Sequence, residues 1–323
     1  MYDPYEQVVY DYLGGLEDLR KAKVRTVIPA SISFNEDCAR ILRAIRIAAR
    51  LGFKLSKGTA RSVAALSTSI LKLDKGRIML EMNYMLSHGS AEASFRALWK
   101  FGLLEILLPI QAEYFVRIGF RRRDQRSNML LSLLENMDKV LSPDRPCHSC
   151  LWFGLLAFHK ALAEGPRHHL GIAAFCLAMH NGGDIAEAIE IAQRITKPPD
   201  ASFDELSDSG KVDTMRLSNE IKELARCLTR VLHQMTNESF VAKAMSKYPQ
   251  APFSNMVFIP LSLYDKTRRL FECVRRFGND EEEHLYPKVG RDIDYDQLAL
   301  GSLPEVRHTL ARIVFDTIYP SHL

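Results

Sequence analysis

Several features that would narrow the class of this protein are missing from its sequence. No run of about 18 consecutive apolar residues occurs, so no transmembrane helix is predicted and no membrane partner is expected. The first residues are polar and mixed in charge, unlike a signal or transit peptide. The 6 cysteines are scattered over 323 residues, which excludes a dense disulfide framework and favours a reducing compartment. No repeat of fixed period is visible, so a solenoid is not predicted.

The chain also lacks a strong excess of either charge. It carries 43 Lys and Arg against 39 Asp and Glu, a net charge of +4, which permits contact with nucleic acid without requiring it. With 47% hydrophobic residues, a chain of this length can bury a sizeable core divided over two or three domains.

What the sequence does contain is helical periodicity along most of its length. Val8 to Tyr12 and Val24 to Ile28 read as short strands of a sheet edge or hairpin. Beyond them the pattern predicts amphipathic helices over 35–51, 58–71, 75–87, 90–106, 126–141, 150–163, 169–180, 184–195, 216–235, 238–247, 262–277 and 304–318. The expected fold class is therefore mainly α.

The segment that follows Phe34 is the most informative, because it carries two stripes on one predicted helix. Apolar residues recur at spacings of three and four, which predicts one buried face: Ile41, Ala44, Ile45, Ala48 and Leu51. Arginines recur in the same way, at Arg40, Arg43, Arg46 and Arg50. Like charges at this spacing repel, so the arginine stripe predicts buried acidic partners or a polyanionic ligand. Asn35 is the predicted N-cap.

Asp37 and Arg40 are placed one turn apart near the start of this predicted helix. A carboxylate and a guanidinium side by side offer an acceptor and a forked donor to one planar ligand. The competing interpretation is an ordinary surface ion pair within the helix.

The first hundred residues contain three motifs in order. They are Asp11 to Leu19 with Arg25-Thr26-Val27, then Glu36-Asp37-x-x-Arg40 with the following Ile-Leu-Arg-Ala-Ile-Arg run, and then Gly76 to Glu81. Together they resemble the bacterial-type (class II) tRNA nucleotidyltransferase and poly(A) polymerase family. The first motif is similar to that family's flexible motif between head and neck, the second to its nucleotide-recognition helix, and the third to its next neck helix. The segments 143–148 and 246–252 look more like the plant branch.

The resemblance implies an elongated array of helices in a neck, body and tail, with a short residual β-hairpin at the N-terminus. The expected divisions are a remnant of the head over 1–33, a neck over 34–110, a helical body over 111–200 and an RNA-binding tail over 201–323. Expected partners are ATP and the 3′ end of a tRNA or mRNA, and an intact member of the family uses ATP and Mg²⁺.

The resemblance also implies roles for four residues near the start of the neck. Asp37 and Arg40 would read the edge of the incoming base, and Glu36 would cap the helix or orient Arg40. Arg43 would face a triphosphate or RNA backbone, or else pair with a neck carboxylate such as Glu81.

The metal-binding motifs of the family do not occur in this sequence. Neither a Gly-Gly-x-Val-Arg-Asp segment with its following Asp-x-Asp strand nor an Arg-Arg-Asp-Phe segment is present. Met1-Tyr2-Asp3-Pro4 resembles the stretch that follows them, so Met1 is interpreted as an internal position of a longer ancestor. We therefore predict that this chain contains no catalytic and no metal-binding residues, and we expect no cofactor in it.

One stretch of alternating aspartates could replace the missing carboxylates. Asp292, Asp294 and Asp296 would share one face of a strand, beside an acidic run over 280–283. The alternatives are a solvated acidic loop and a relocated metal site. The chain is predicted to lack transferase activity alone; the alternative is a non-catalytic RNA-binding or regulatory protein, which would act with an intact homologue.

Two further clusters are candidate sites. Five arginines within ten positions form what we call the arginine cluster, a candidate phosphate-contact patch or else a solvated connection between helices: Arg117, Arg121, Arg122, Arg123 and Arg126. Cys147-His148-Ser149-Cys150 is half of a zinc site, a redox pair, or a set of incidental residues at a helix start. An intracellular location is expected, and a plastid or mitochondrion if a targeting segment precedes Met1.

Overall fold

The computed structural model describes residues 1–207, 210, 212–250, 256–274 and 292–320. These residues form helices joined by short turns, with only two-residue strands, which confirms the mainly α prediction. The predicted acidic run over 280–283 lies outside the described residues.

The first half of the chain contains eight α-helices and one 3₁₀ segment within residues 1–117, all of which the structure describes. The α-helices are α1 (Gly15–Arg20), α2 (Ala30–Glu36), α3 (Ala39–Leu51), α4 (Lys57–Ala65), α5 (Lys75–Leu86), α6 (Ala91–Lys100), α7 (Leu104–Leu107) and α8 (Pro109–Arg117). The 3₁₀ helix spans Ser67–Lys72. The helices predicted over 58–71 and 90–106 are thus each divided in two.

The second half continues the helical array with longer helices. They are α9 (Met129–Val140), α10 (Ser149–Glu164), α11 (His169–His180), α12 (Ile185–Gln193), α13 (Thr214–Thr236), α14 (Glu238–Met245), α15 (Leu261–Glu272), α16 (Tyr295–Leu300) and α17 (Leu303–Ile318). Polar N-cap residues mark the start of several of the described helices. In each case the side chain accepts a hydrogen bond from the backbone N–H three residues later, as at Asp74, Asn128, Asp184 and Asp213.

Within the described part of the chain, three pairs of strands accompany the helices. β1 (Tyr2–Asp3) pairs antiparallel with β2 (Val8–Val9) and forms the N-terminal hairpin. β3 (Lys23–Val24) pairs in parallel with β4 (Lys54–Leu55), and β5 (Arg167–His168) pairs in parallel with β6 (Leu206–Ser207). The two predicted strand segments therefore do not pair with each other. Val8 and Val9 of the first segment form β2 and pair with β1, whereas Val24 of the second segment lies in β3 and pairs with β4.

α10 lies at the centre of the packing. It contacts α9, α13, α15 and α17, and almost every side chain from Cys150 to Ala163 is buried. A helix that is apolar on all sides must be surrounded by other helices, so α10 is the central helix of this packing. Within the described residues, no helix combines the length and apolar character that a membrane crossing requires.

Candidate nucleotide and RNA interface

Asp37 lies between two helices rather than inside one. α2 ends at Glu36, Asp37 is extended at φ −148°, and α3 starts at Ala39. Asp37 Oδ1 accepts a hydrogen bond from the Ala39 N–H at 3.1 Å, so this carboxylate satisfies a donor at the start of α3. The prediction of one helix over 35–51 with Asn35 as N-cap is wrong, because the chain turns at Asp37 and Asn35 belongs to the last turn of α2.

The carboxylate of Asp37 is held by Arg77 of α5, not by Arg40. Arg77 Nη2 donates to both carboxylate oxygens at 2.9 Å. Burial raises the pKa of Asp37, but the hydrogen bonds from Arg77 and Ala39 and the charges of Arg77 and Arg40 outweigh it, so the pKa lies below its ordinary value. Asp37 is therefore ionised at neutral pH, and the surface-pair interpretation with Arg40 does not describe the structure.

Arg40 is anchored to α2 through one nitrogen. Its Nη1 donates to Ser33 Oγ at 3.0 Å, to the Ser33 carbonyl at 3.3 Å and to Glu36 Oε2 at 2.9 Å. Nε and Nη2 make no hydrogen bond to any described residue, and 40% of the side chain is exposed. Glu36 thus orients Arg40, one of its two predicted roles, and leaves the other edge of the guanidinium available.

The remaining arginines of the stripe pack against α5. Arg46 Nε donates to Glu81 Oε2 at 2.9 Å and Arg43 Nε to Glu81 Oε1 at 3.4 Å, while only 6% of the Glu81 side chain is exposed. Arg50 Nη2 donates to the Tyr84 carbonyl at 3.2 Å. The buried acidic partner inferred from like-charge repulsion is therefore present, and Arg43 makes the structural contact that was one of its two interpretations.

The structure divides the arginine cluster into engaged and unengaged members. Arg117 Nη1 donates to the Ala163 carbonyl at 2.7 Å, and Arg126 pairs with Asp124. Arg122 lies 3.8 Å from the centre of the Trp99 ring and pairs with the fully buried Glu105. Arg121 and Arg123 are exposed, and their side chains contact no described acceptor. The cluster is thus both a connection and, at two positions, a free cationic surface.

The aromatic residues near the cluster belong to the core. Tyr114 and Phe120 are each 5% exposed and Phe115 is fully buried, so none presents a ring face for stacking on a base. Tyr114 instead lies against His159, with ring centres 4.4 Å apart. His159 Nε2 is 3.5 Å from Glu205 Oε1, and this buried polar cluster has no local signal in the sequence because its members are far apart along the chain.

The Cys-x-x-Cys segment forms the start of α10. His148 is the N-cap, and its Nδ1 accepts a hydrogen bond from the Cys150 N–H at 3.1 Å. Cys147 and Cys150 are buried, and burial raises the pKa of each thiol to about 12. Neutral, buried thiols are poor metal ligands and poor nucleophiles.

The alternating aspartates do not form a strand. Asp294 is the N-cap of α16, where Oδ1 accepts from the Gln297 N–H at 3.0 Å, so the three residues run from a turn into a helix. In the part of the chain that the structure describes, no three His, Cys, Asp or Glu side chains come together as metal ligands.

An open apolar cavity of about 640 Å³ lies on the neck, between the C-terminal half of α3, β4, α4 and α6. Its floor contains Ile45, Phe53, Leu55 and Phe101, and its rim contains Lys54, Arg61, Lys100 and Arg123. We call it the neck groove. Of these four cations, only Arg123 was a candidate site residue from the sequence. Lys54, Arg61 and Lys100 share a sequence signal that could have identified them: no acidic residue lies three or four positions away on either side of each.

Part of the chain matches a family model and several curated proteins in sequence. Residues 52–115 match the family model described as the probable RNA and SrmB-binding site of polymerase A. Poly(A) polymerase I of Escherichia coli is 28% identical over 204 residues, 60% of this chain and 43% of that protein. The multifunctional CCA protein of Pasteurella multocida is 38% identical over 106 residues, 31% of this chain and 24% of that protein.

The chain spans less than half the length of the curated relatives it matches. A crystal structure of the Bacillus stearothermophilus CCA-adding enzyme in complex with CTP aligns with 19% identity and a TM-score of 0.38, covering 84% of this chain and 65% of that one. On the motifs of the neck and these sequence matches, the chain is similar to members of the class II tRNA nucleotidyltransferase and poly(A) polymerase family.

Proposed function

We propose that this chain contributes nucleotide recognition and RNA contact to RNA 3′-end processing, and that the 323-residue chain transfers no nucleotide by itself. The observation that carries the proposal is the state of Asp37 and Arg40. The Asp37 carboxylate and the Arg40 guanidinium are each held in place by hydrogen bonds on one side, and each can still form hydrogen bonds on the other side. Such an arrangement suits a planar ligand that has both donors and acceptors.

The available atoms can be named. Asp37 Oδ1 already accepts from Arg77 and Ala39, whereas Oδ2 accepts from Arg77 alone. A carboxylate oxygen accepts about two hydrogen bonds, so Oδ2 can take one from an exocyclic amine. Arg40 Nε and Nη2 can donate to a ring nitrogen or carbonyl oxygen of the same base.

Adenine and cytosine fit this donor and acceptor pair. Both carry an exocyclic amine beside a ring nitrogen that accepts a hydrogen bond. AMP addition and CCA addition, the activities named for the relatives, use these bases. The two products are not distinguished by Asp37 and Arg40.

Among the described residues, no three His, Cys, Asp or Glu side chains come together as a candidate Mg²⁺ site. The sequence also has none of the family's metal-binding motifs. Both observations support the proposal that the chain is inactive alone.

RNA contact is proposed at Arg121 and Arg123. Both side chains are exposed and free of acidic partners, so they can approach phosphates without breaking an existing ion pair. Arg117, Arg122 and Arg126 also belong to the proposed RNA surface, but each is already engaged. The matched RNA-binding model ends at Phe115, just before this surface.

Nucleotide binding can be tested by saturation-transfer NMR with ATP, CTP and UTP. We expect ATP and CTP signals that are lost in Asp37→Ala and Arg40→Ala and retained in the control Glu135→Ala on α9. UTP, which has a carbonyl in place of the amine, should give a weaker signal. Equal signals from the three nucleotides, or full signals in both variants, would refute the assignment.

RNA binding can be tested by fluorescence anisotropy with a labelled oligoadenylate. For Arg121→Ala/Arg123→Ala we expect weaker binding and a salt dependence shallower by roughly 1.4 in the slope of log K against log salt, about 0.7 per lost contact. The control, Lys222→Ala/Lys243→Ala, removes two exposed cations elsewhere. An unchanged slope would exclude this surface.

Transfer is tested by incubating the chain with RNA, ATP and Mg²⁺ and measuring AMP incorporation. We expect none, and measurable incorporation would contradict the proposal. The second candidate, a non-catalytic RNA-binding or regulatory protein, is favoured by the Arg77–Asp37 pair, since this pair already occupies part of the carboxylate. RNA binding without nucleotide binding would select it.

A further inference from the structure

The neck groove is apolar at its base and cationic at its edge. Ile45 is fully buried beneath it, and Leu55, Phe53 and Phe101 contribute half-buried side chains. Its volume of about 640 Å³ lies within the range of roughly 300–1,000 Å³ typical of ligand pockets. Exposed apolar surface of this kind, with a polar rim, marks interaction sites in soluble proteins.

The four rim cations have no acidic partner among the described residues. Within the described ranges, Lys54, Arg61, Lys100 and Arg123 form no ion pair; Arg61 Nε donates to the Lys57 carbonyl at 3.3 Å, and Lys100 lies 5.5 Å from the Phe101 ring centre. By contrast, nearby arginines are neutralised, as in Arg46–Glu81 and Arg96–Glu92. No carboxylate lines the groove.

The lining selects among possible occupants. Apart from the four cations, it contains no side chain with a hydrogen-bonding group. A nucleobase buried there would leave its edge donors and acceptors largely unpaired, which costs free energy. A small polar metabolite would likewise find nothing to fix its orientation. Alkyl side chains lose nothing on entering such a floor.

We propose that the neck groove binds an acidic amphipathic helix of a protein partner. The apolar face of that helix would lie on the floor formed by α3, α4 and α6, in the manner of a helix in a groove. Glutamates or aspartates flanking the apolar face would meet the four rim cations, which supply charge complementarity. This proposal is independent of nucleotide binding, and the groove shares Arg123 with the proposed RNA surface.

The test uses a fluorescein-labelled helical peptide of about 15 residues, with leucines at i, i+3, i+4 and i+7 and glutamates on the flanks. Fluorescence anisotropy with the full chain should give saturable binding that weakens with salt. A peptide of the same composition in scrambled order, and one with lysine in place of glutamate, should bind at least about ten-fold more weakly if amphipathicity and acidic charge are both required.

Two chain variants locate the site. Ala64→Glu puts a carboxylate into the groove at an exposed position of α4, and Arg61→Glu/Lys100→Glu reverses two exposed rim charges. Each should weaken peptide binding at least about ten-fold, while the control Lys222→Glu/Lys243→Glu leaves it unchanged. Circular dichroism confirms that each variant is folded.

Three results would overturn the proposal. The first is no binding of the acidic peptide, and the second is binding that Ala64→Glu leaves intact. The third is displacement of the peptide by an oligoadenylate whose own binding is weakened by Arg61→Glu/Lys100→Glu. That result would make RNA the occupant of the groove. The groove variants change Ala64, Arg61 and Lys100, whereas the nucleotide test changes Asp37 and Arg40. The RNA test includes Arg121, which does not line the groove. Failure of the groove proposal therefore leaves the nucleotide and RNA tests interpretable.

Discussion

Arg122 lies between the indole of Trp99 and the buried carboxylate of Glu105. Truncation by Arg122→Ala would leave that carboxylate buried without its charged partner, so we expect a loss of about 2 kcal/mol in the free energy of unfolding. Urea denaturation measures it. Arg121→Ala is the matched control and should change stability by less than about 0.5 kcal/mol; equal effects would show that the Glu105 contact is not stabilising.

The neighbouring arginines therefore differ in a way that the sequence alone does not show. Arg121, Arg122 and Arg123 are chemically identical and adjacent, and a prediction from charge clustering treats them as one patch. Only the position of Glu105, which is 17 residues away from Arg122, distinguishes the structural arginine from the two free ones.

Asp37 offers a second test at the scale of a single residue. In Arg77→Met the hydrogen bonds and the charge of Arg77 are lost, while burial and the hydrogen bond from the Ala39 N–H remain, so we expect the pKa of Asp37 to rise. A ¹³C NMR titration of the Asp37 carboxyl measures this. Lys75→Met, on the same helix, should leave the titration unchanged, and a curve that is also unchanged in Arg77→Met would contradict the pairing.

At the scale of helices, the start of α6 depends on α9. Ser90 provides no side-chain cap; instead Asp138 accepts from the Ala91 and Glu92 N–H groups at 2.7 and 2.9 Å. We expect Asp138→Ala to cost about 1–2 kcal/mol, the usual effect of losing a cap. Glu135→Ala, which removes an exposed ion pair on α9, should cost under about 0.5 kcal/mol by urea denaturation. If the two losses match, the cap is not stabilising.

Helices were more predictable than their ends or partners. The apolar spacing of Ile41, Ala44, Ile45 and Ala48 predicts the buried face of α3 directly, because helical periodicity is a local property. Leu51, predicted on the same face, is 50% exposed at the last residue of the helix. The turn at Asp37 was missed, since Asn35 and Asp37 both suit a helix start and only the contact of Asp37 with Arg77, 40 residues away, distinguishes them. The neck groove was missed for the same reason: its cations come from separate elements.

For the whole molecule, burial of histidines predicts how stability depends on pH. Burial lowers the pKa of His88, His148 and His159, so below about pH 6.5 the unfolded chain takes up protons that the folded chain does not. Stability should therefore fall as the pH falls from about 8 to about 6.

Thermal unfolding across this pH range measures the effect, and His159→Gln should show a smaller loss than the unmodified chain. Asp138 acts in the opposite direction at the acidic end, because burial raises its pKa to about 6. Stability that is constant over the range, or a slope that His159→Gln leaves unaltered, would contradict the assignment of a neutral buried imidazole.

The anchoring of Arg40 has an entropic consequence. A long side chain that is immobilised only when a ligand arrives loses about 0.5–1.5 kcal/mol of rotamer freedom in the process. Here Ser33 and Glu36 hold one edge of the guanidinium beforehand, so that loss is incurred during folding. The outward edge is therefore a rigid donor pair, and substitutions in α2 would weaken the proposed nucleotide binding without touching the nucleotide.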